Sequence, residues 1–229
     1  MALGYNPERL LASDQMRKKW GLRDDGLSRG LCVAVGRSGH IASLNPKESV
    51  RDALSAGTRD AHDRLDQLMR RTGWQTQSAY AQFLQVQYAA RQPVETCFAR
   101  LANRGDAPPA MAGSIARDLD QMNSPLPTEK LTRFELPEGS NPIGAFWAIA
   151  GSSLGNKAIL REVELASGAM SWPSSFLADI SMIQFWKRLR QELNLEGTRP
   201  TTIGAVQAAN AVFDHFQRTA TQLVHEAAA

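Results

Sequence analysis

Two short stretches hold the residues with the most chemical potential. The first, TRDAHDRLDQLM at 58–69, contains His62, one of four histidines in the chain. In a helix, positions three, four and seven apart share a face, so His62 lies beside Thr58, Leu65 and Met69. Its imidazole then points toward the side to be buried, or to the edge of that side. A histidine in that place must be hydrogen-bonded, exposed at a rim, or bound to something. Taken alone, an edge histidine is more often structural than a ligand. Arg59 and Thr58, a turn earlier, set a guanidinium fork and a hydroxyl near the same nitrogen. The second stretch is AGSSLGNKAIL at 150–160, in which Gly151 and Gly155 fall on one helix face. Each costs about 1 kcal/mol relative to alanine in a helix interior. Two uses are open for such a pair: close packing of another helix, which is the commoner, or a flat ligand lying on bared backbone. A phosphate loop fits poorly, because no strand precedes the glycines and neither nucleotide fingerprint is present.

As a metal ligand, His62 would be nearly alone. A tetrahedral zinc site needs two or three more donors. The chain has no HxxxH or HExxH, and His40, His215 and His225 lack zinc-like spacing. Haem makes a smaller demand. Its macrocycle supplies four nitrogens, leaving the protein to provide one axial ligand, an apolar slot and cations for the propionates. One histidine is enough for haem and too few for zinc.

The elements that must position these residues read as helices. Ser49 caps a helix running to about Arg71, with Gly73 as its stop. A second spans Ser78 to Leu101, with apolar Tyr80, Phe83, Leu84, Tyr88 and Val94 in register and a kink expected at Pro93. A short helix follows from about Met111 to Met122. SPLPTEKLTRFELPEGSNP, with its four prolines, reads as a loop holding two short strands or turns. An apolar helix from Ile143 to Leu165 is interrupted by GSSLG, an amphipathic one runs from Phe176 to Leu195, and the last spans Thr201 to Glu226. The expected architecture is an all-α domain of five to seven helices. In residues 1–48 a short helical pattern around Pro7 to Trp20 precedes a stretch rich in Gly, Ser and Arg that sustains no period for long, and the segment is expected to form a partly disordered or weakly structured arm before the domain at 49–229.

Charge and composition exclude several classes. The formal net charge of +3 lies in residues 1–48, with eight Lys/Arg against five Asp/Glu, while residues 49–229 balance at eighteen each. A neutral body is not the basic stripe that nucleic-acid binding needs. No apolar run approaches the roughly 18 residues of a membrane span, and no secretory signal pattern opens the chain, so a cytoplasmic protein without membrane contact is expected. Cys32 and Cys97 have no CxxC partner and read as idle or buried thiols.

Several stretches, in order, resemble the haem oxygenases. LSAGTRDAHDRLDQLM is similar to the family's proximal helix. YAQFLQVQYAARQPVETCFARL resembles the next, where an aromatic-rich run leads to Pro-x-Glu, and IARDLDQM resembles the short helix after it. AFWAIAGSSLGNKAILREV looks like the distal helix, and Trp172 to Leu195 with IGAVQAANAVF fits the closing ones. The likeness covers about residues 50–220 and is strongest to the bacterial branch often found with bacteriophytochromes.

The resemblance implies a single-domain helical bundle with haem sandwiched between a proximal and a distal helix. It implies His62 as axial iron ligand, Arg59 as partner of a haem propionate with Thr58 beside it, and Gly151 and Gly155 as the distal backbone that approaches the haem. Ser152 belongs to the same motif, and Phe146 and Trp147 are expected as pocket walls. The implied activity is oxidative opening of haem b, both cofactor and substrate, to biliverdin with release of iron and carbon monoxide. It would use dioxygen and electrons from ferredoxin and its reductase or another reductant, with a bacteriophytochrome as a candidate biliverdin acceptor. Departures occur on the distal side. Ala150 stands where the family usually has a polar residue, aromatic Phe146 or Trp147 where it has Tyr, and Asn156 and Lys157 where small residues are common. They motivate an alternative, a haem carrier or sensor with the same fold that does not degrade its ligand.

Overall fold

The computed structural model describes residues 49–101, 107–194 and 199–226, all within one compact unit, Ile41–Ala229. The arm expected over residues 1–48 lies outside them. Helix α1 (Val50–Thr72) begins at a reciprocal cap. Ser49 Oγ accepts the Asp52 N–H at 3.2 Å and donates to the Asp52 carboxylate at 2.7 Å, satisfying an amide that the first helical turn would leave bare. Asp52 in the first turn and Arg70 and Arg71 in the last complement the helix dipole. At Gly73 the backbone turns to φ +70°, a conformation that side chains disfavour, and the helix stops. Val50, Ala53, Leu54, Thr58, Ala61 and Met69 form its buried face.

Helix α2 (Gln77–Leu101) runs unbroken through Pro93 and is buried on most sides, with Tyr80, Phe83, Leu84, Val86, Val94 and Phe98 all in the core. Near its end Glu95 reaches across to start helix α3 (Ala112–Gln121). The two carboxylate oxygens accept the Met111 and Ala112 N–H groups at 2.8 and 3.1 Å. No strand forms in the proline-rich segment that follows, nor elsewhere among the described residues; a single 3-10 turn, Thr128–Lys130, takes the place of the expected short strands. Proline cannot donate to a ladder, and the segment meets no strand with which to pair.

Asn141 then caps helix α4 (Pro142–Ser152), its side-chain oxygen accepting the Ile143 N–H at 3.1 Å, with proline pre-set at the first helical position. A 3-10 turn, Ser153–Gly155, leads into helix α5 (Asn156–Ser167). The helix expected over Phe176 to Leu195 is two: α6 (Ser175–Ala178) and α7 (Ser181–Leu193). Asp179 divides them. Its backbone is extended, and its carboxylate accepts the Ser181 N–H at 2.7 Å, so a short polar side chain restarts the helix instead of continuing it. Helix α8 (Arg199–Glu226) completes the fold. The two breaks raise the number of α-helices among the described residues to eight, above the expected range.

Helix α8 is the pillar. It packs most extensively on α1 and on α4, and also on α2. Small residues bring these backbones close: a Cβ added at Gly144 of α4 would lie 1.8 Å from the Ala205 carbonyl oxygen. Side chains of α8 also bond to helix carbonyls. Asn210 Nδ2 donates to Gly57 O at 3.0 Å, and Gln217 Nε2 to Ala61 O at 2.7 Å. His215, 2% exposed, donates from Nε2 to Ala90 O of α2 at 3.1 Å, the carbonyl fixing that nitrogen as the protonated one. Helices α1 and α4 therefore share α8 as a neighbour while making at most marginal contact with each other. No helix among the described residues is long and apolar enough to cross a membrane.

Candidate functional site

His62 sits at the rim of α1, with its side chain 60% exposed. Nδ1 lies 3.7 Å from the Asp63 carboxylate, which steers the ring without a close hydrogen bond. Nε2 has no protein partner among the described residues. Arg59 is exposed and also lacks a carboxylate partner there, whereas Thr58 is buried and donates its hydroxyl to Leu54 O at 2.7 Å. No three His, Cys, Asp or Glu side chains among the described residues converge to hold a bare metal ion. Here the protein offers one imidazole and nothing more.

The junction of α4 and α5 is built by its two serines. Ser152 Oγ donates to Ile149 O at 2.7 Å and Ser153 Oγ to Ala150 O at 2.6 Å. Hydroxyls that bond back to carbonyls three residues earlier compete with the α-ladder, and the chain tightens here to a 3-10 turn. Neither flanking glycine is required by a close approach of another backbone. A Cβ at Gly155 would meet nothing within 4 Å, and one at Gly151 only the Trp186 ring, at 3.7 Å. Their backbone is bared toward open space and an indole.

A strip of aromatic rings joins the two sides. Trp186 of α7 faces Trp147 of α4 at 6.4 Å between ring centroids, Trp147 faces Phe213 of α8 at 6.4 Å, and Phe213 meets the His62 ring edge-on at 6.0 Å. Phe146 points another way, into Phe98 at 4.9 Å and Phe185 at 6.3 Å. Of the two aromatic residues expected as walls, Trp147 is linked to His62 through Phe213, and Phe146 is not. Lys157, Lys187, Arg188 and Arg190 are exposed, Arg188 lying over the Phe185 ring. Two surface depressions of about 250 and 320 Å³, along Gln85 and the 124–129 loop, share no residue with this region.

Against Ser152, at the α4–α5 junction, lies a residue that the sequence alone did not single out. Arg91 of α2 is 1% exposed. Its Nη2 donates to Ser152 Oγ at 2.7 Å, its Nε to Gln87 Oε1 at 3.2 Å, and its guanidinium lies 5.2 Å above the Phe176 ring. Nη1 is buried without a protein partner. Burial pushes the Arg91 pKa down to about 10 against an opposing pull from Glu95, so the group stays charged at neutral pH. An arginine directly after the apolar run YAA was the available signal. Trp186 and Phe213 had a weaker one, since apolar helix residues rarely announce which neighbour they will face.

The fold is of the haem oxygenase type. A haem oxygenase from Neisseria meningitidis, solved with NO and CO bound, matches it with a TM-score of 0.62 and 20% identity, over 77% of this chain and 92% of that one. No protein-family model matches the sequence, and a comparison with curated proteins gives no match.

Proposed function

We propose that the chain is a haem oxygenase that opens haem b to biliverdin, releasing iron and carbon monoxide. One observation carries this reading. An imidazole with a free Nε2 and a turn bared by two glycines lie on the two helices that α8 holds apart, in a fold of the haem oxygenase type. These residues suit the group: one axial nitrogen, a floor of ring edges, open backbone above, and cations at the margin.

In this reading His62 ligates the iron through Nε2 while Asp63 steers the ring from the Nδ1 side. Arg59 pairs with a propionate, and Thr58 shapes the helix face beside the ligand. Trp147, with Phe213 and Trp186, would pack against the macrocycle, and Phe146 anchors the same helix in the core against Phe98 and Phe185. Gly151 and Gly155 keep side chains away from the distal face, with Ser152 fixing the turn between them. The bound haem would supply the iron that activates dioxygen and the ring that is opened. Ferredoxin with its reductase, or another reductant, would deliver electrons, and a bacteriophytochrome is the proposed biliverdin acceptor.

The test is a hemin titration followed by a single turnover. Hemin should saturate a Soret band near one equivalent. Ascorbate or a ferredoxin system, added in air with catalase present, should then bleach that band as red absorbance grows. Haem that binds and survives would favour the carrier or sensor, a reading supported by Ala150, which is apolar and fully buried beside the distal turn. His62→Ala removes an exposed side chain and should change stability by no more than about 0.5 kcal/mol while abolishing the axially ligated spectrum. An unchanged spectrum would sink the ligand assignment.

A further inference from the structure

Helix α5 follows the distal turn directly, and little holds it down. Only Asn156, Val163 and Ser167 of its twelve residues are buried, and Ile159 and Leu160 add half-buried contacts to the core. It packs chiefly on α6 and on the 3-10 turns at its two ends, Ser153–Gly155 and Gly168–Met170. With α1, α2 and α8 it makes at most marginal contact. Glycines bracket it. Gly155 precedes its first turn and Gly168 ends it at φ +54°, and a Cβ added at either would meet nothing within 4 Å. A helix with so thin a buried face, set between two uncrowded glycines, opens locally at small cost.

Among the described residues, one side-chain hydrogen bond ties α5 to a distant part of the chain. Trp74 Nε1 donates to Glu162 Oε2 at 2.7 Å, across 88 positions. An N–H on a carboxylate makes a stronger bond than one between neutral groups. The donor is itself anchored, since the half-buried Trp74 ring meets Phe83 of α2 edge-on at 5.8 Å. Trp74 stands just beyond the Gly73 stop of α1, and Glu162 lies midway along α5. The bond therefore runs from the end of the helix that carries His62 to the helix that begins at the distal turn. Because α1 and α4 touch at most marginally, it is a tie between the two sides that does not pass through α8.

We infer that Trp74 and Glu162 form a latch that holds α5 down, so positioning the distal turn relative to α1, and that breaking the latch sets how fast haem leaves the site. Both are positioning residues, acting through α5 and the turn before it. The inference rests on the haem reading above and deepens it, by assigning control of ligand release to a bond outside the site.

A double-mutant cycle tests it. Trp74→Phe removes the indole N–H and keeps a ring against Phe83. Glu162→Ala removes the acceptor at an exposed helix position, and Glu162→Gln keeps an acceptor oxygen. In the apoprotein, amide hydrogen exchange over residues 156–167 should quicken about fivefold in Trp74→Phe and in Glu162→Ala, the scale of one hydrogen bond. The double variant should go no further, α8 should be unchanged, and Glu162→Gln should recover most of the protection. In the haem complex, transfer of hemin to an excess of a haem-scavenging protein should quicken in the same pattern. If the two residues contribute packing alone, the effects of Trp74→Phe and Glu162→Ala add and the glutamine does not rescue, which overturns the inference. Faster exchange with unchanged hemin release overturns it as well, by separating the latch from the site. If wild-type protein shows no saturable Soret band, the haem reading falls and the claim on ligand release with it, while the exchange cycle still decides whether the latch exists.

Discussion

Gly144→Ala is the most direct challenge to the proposed geometry, since it adds one methyl group where α4 meets α8. The added Cβ would lie 1.8 Å from the Ala205 carbonyl oxygen, 2.5 Å from its carbon and 2.9 Å from its Cα. All three are backbone atoms, so no rotamer change can relieve the clash. Restoring a normal carbon–oxygen contact of about 3.3 Å requires the two helices to part by about 1.5 Å at this point. Overpacking of a core by one methyl group typically costs 1–3 kcal/mol. With backbone on the receiving side, a loss of about 3 kcal/mol or more is expected, partly offset by the alanine's better helix propensity. Urea denaturation followed by circular dichroism would read the change as a lower midpoint at constant slope. Hemin affinity should fall as well, because α4 carries the distal turn and would be displaced relative to α1. A variant within about 0.5 kcal/mol of wild type would show that α4 and α8 do not approach as described.

Two further outcomes probe independent parts of the molecule. Gly155→Ala, at a helical backbone position where the new methyl meets nothing within 4 Å, should raise apoprotein stability by about 0.5–1 kcal/mol yet weaken hemin binding; gains in both would count against the distal assignment. His215 is held below its ordinary pKa, chiefly by burial, so the unfolded chain takes up the proton first. Its contribution should be fully present above about pH 6.5 and be lost progressively as the pH falls below that value. His215→Gln, which retains a donor for Ala90 O, should flatten that part of the pH–stability curve, and equal slopes would exclude His215 as the titrating group.

The sequence disclosed local structure better than long-range contacts. The limits of α1 follow from Ser49 and Gly73, whose side-chain chemistry and backbone freedom act within a turn of where they stand. Asp179 acts just as locally, but its signal was masked by the apolar periodicity of Phe176 to Leu189, which continues across the break. The glycines show the same divide. Gly151 and Gly155 stand out by their spacing, yet packing makes its tightest demand at Gly144, whose partner Ala205 is on α8. Nothing in PIGAFW signals that meeting. Arg91 reads as a polar interruption of α2 until Ser152 and Phe176 are seen around it.

The bonds from α8 to α1 also bear on when the site can come into being. Asn210 and Gly57 are 153 positions apart, and Gln217 and Ala61 are 156 apart. During synthesis, the helix bearing His62 emerges well before α8 and waits for it before its carbonyls are tied and its flank is covered. Closing contacts of such long sequence separation is slow, and domains complete their folding only once the partnering segments are available. The imidazole is therefore presented on a finished surface only once α8 has left the ribosome, which makes α8 the timekeeper of ligand capture.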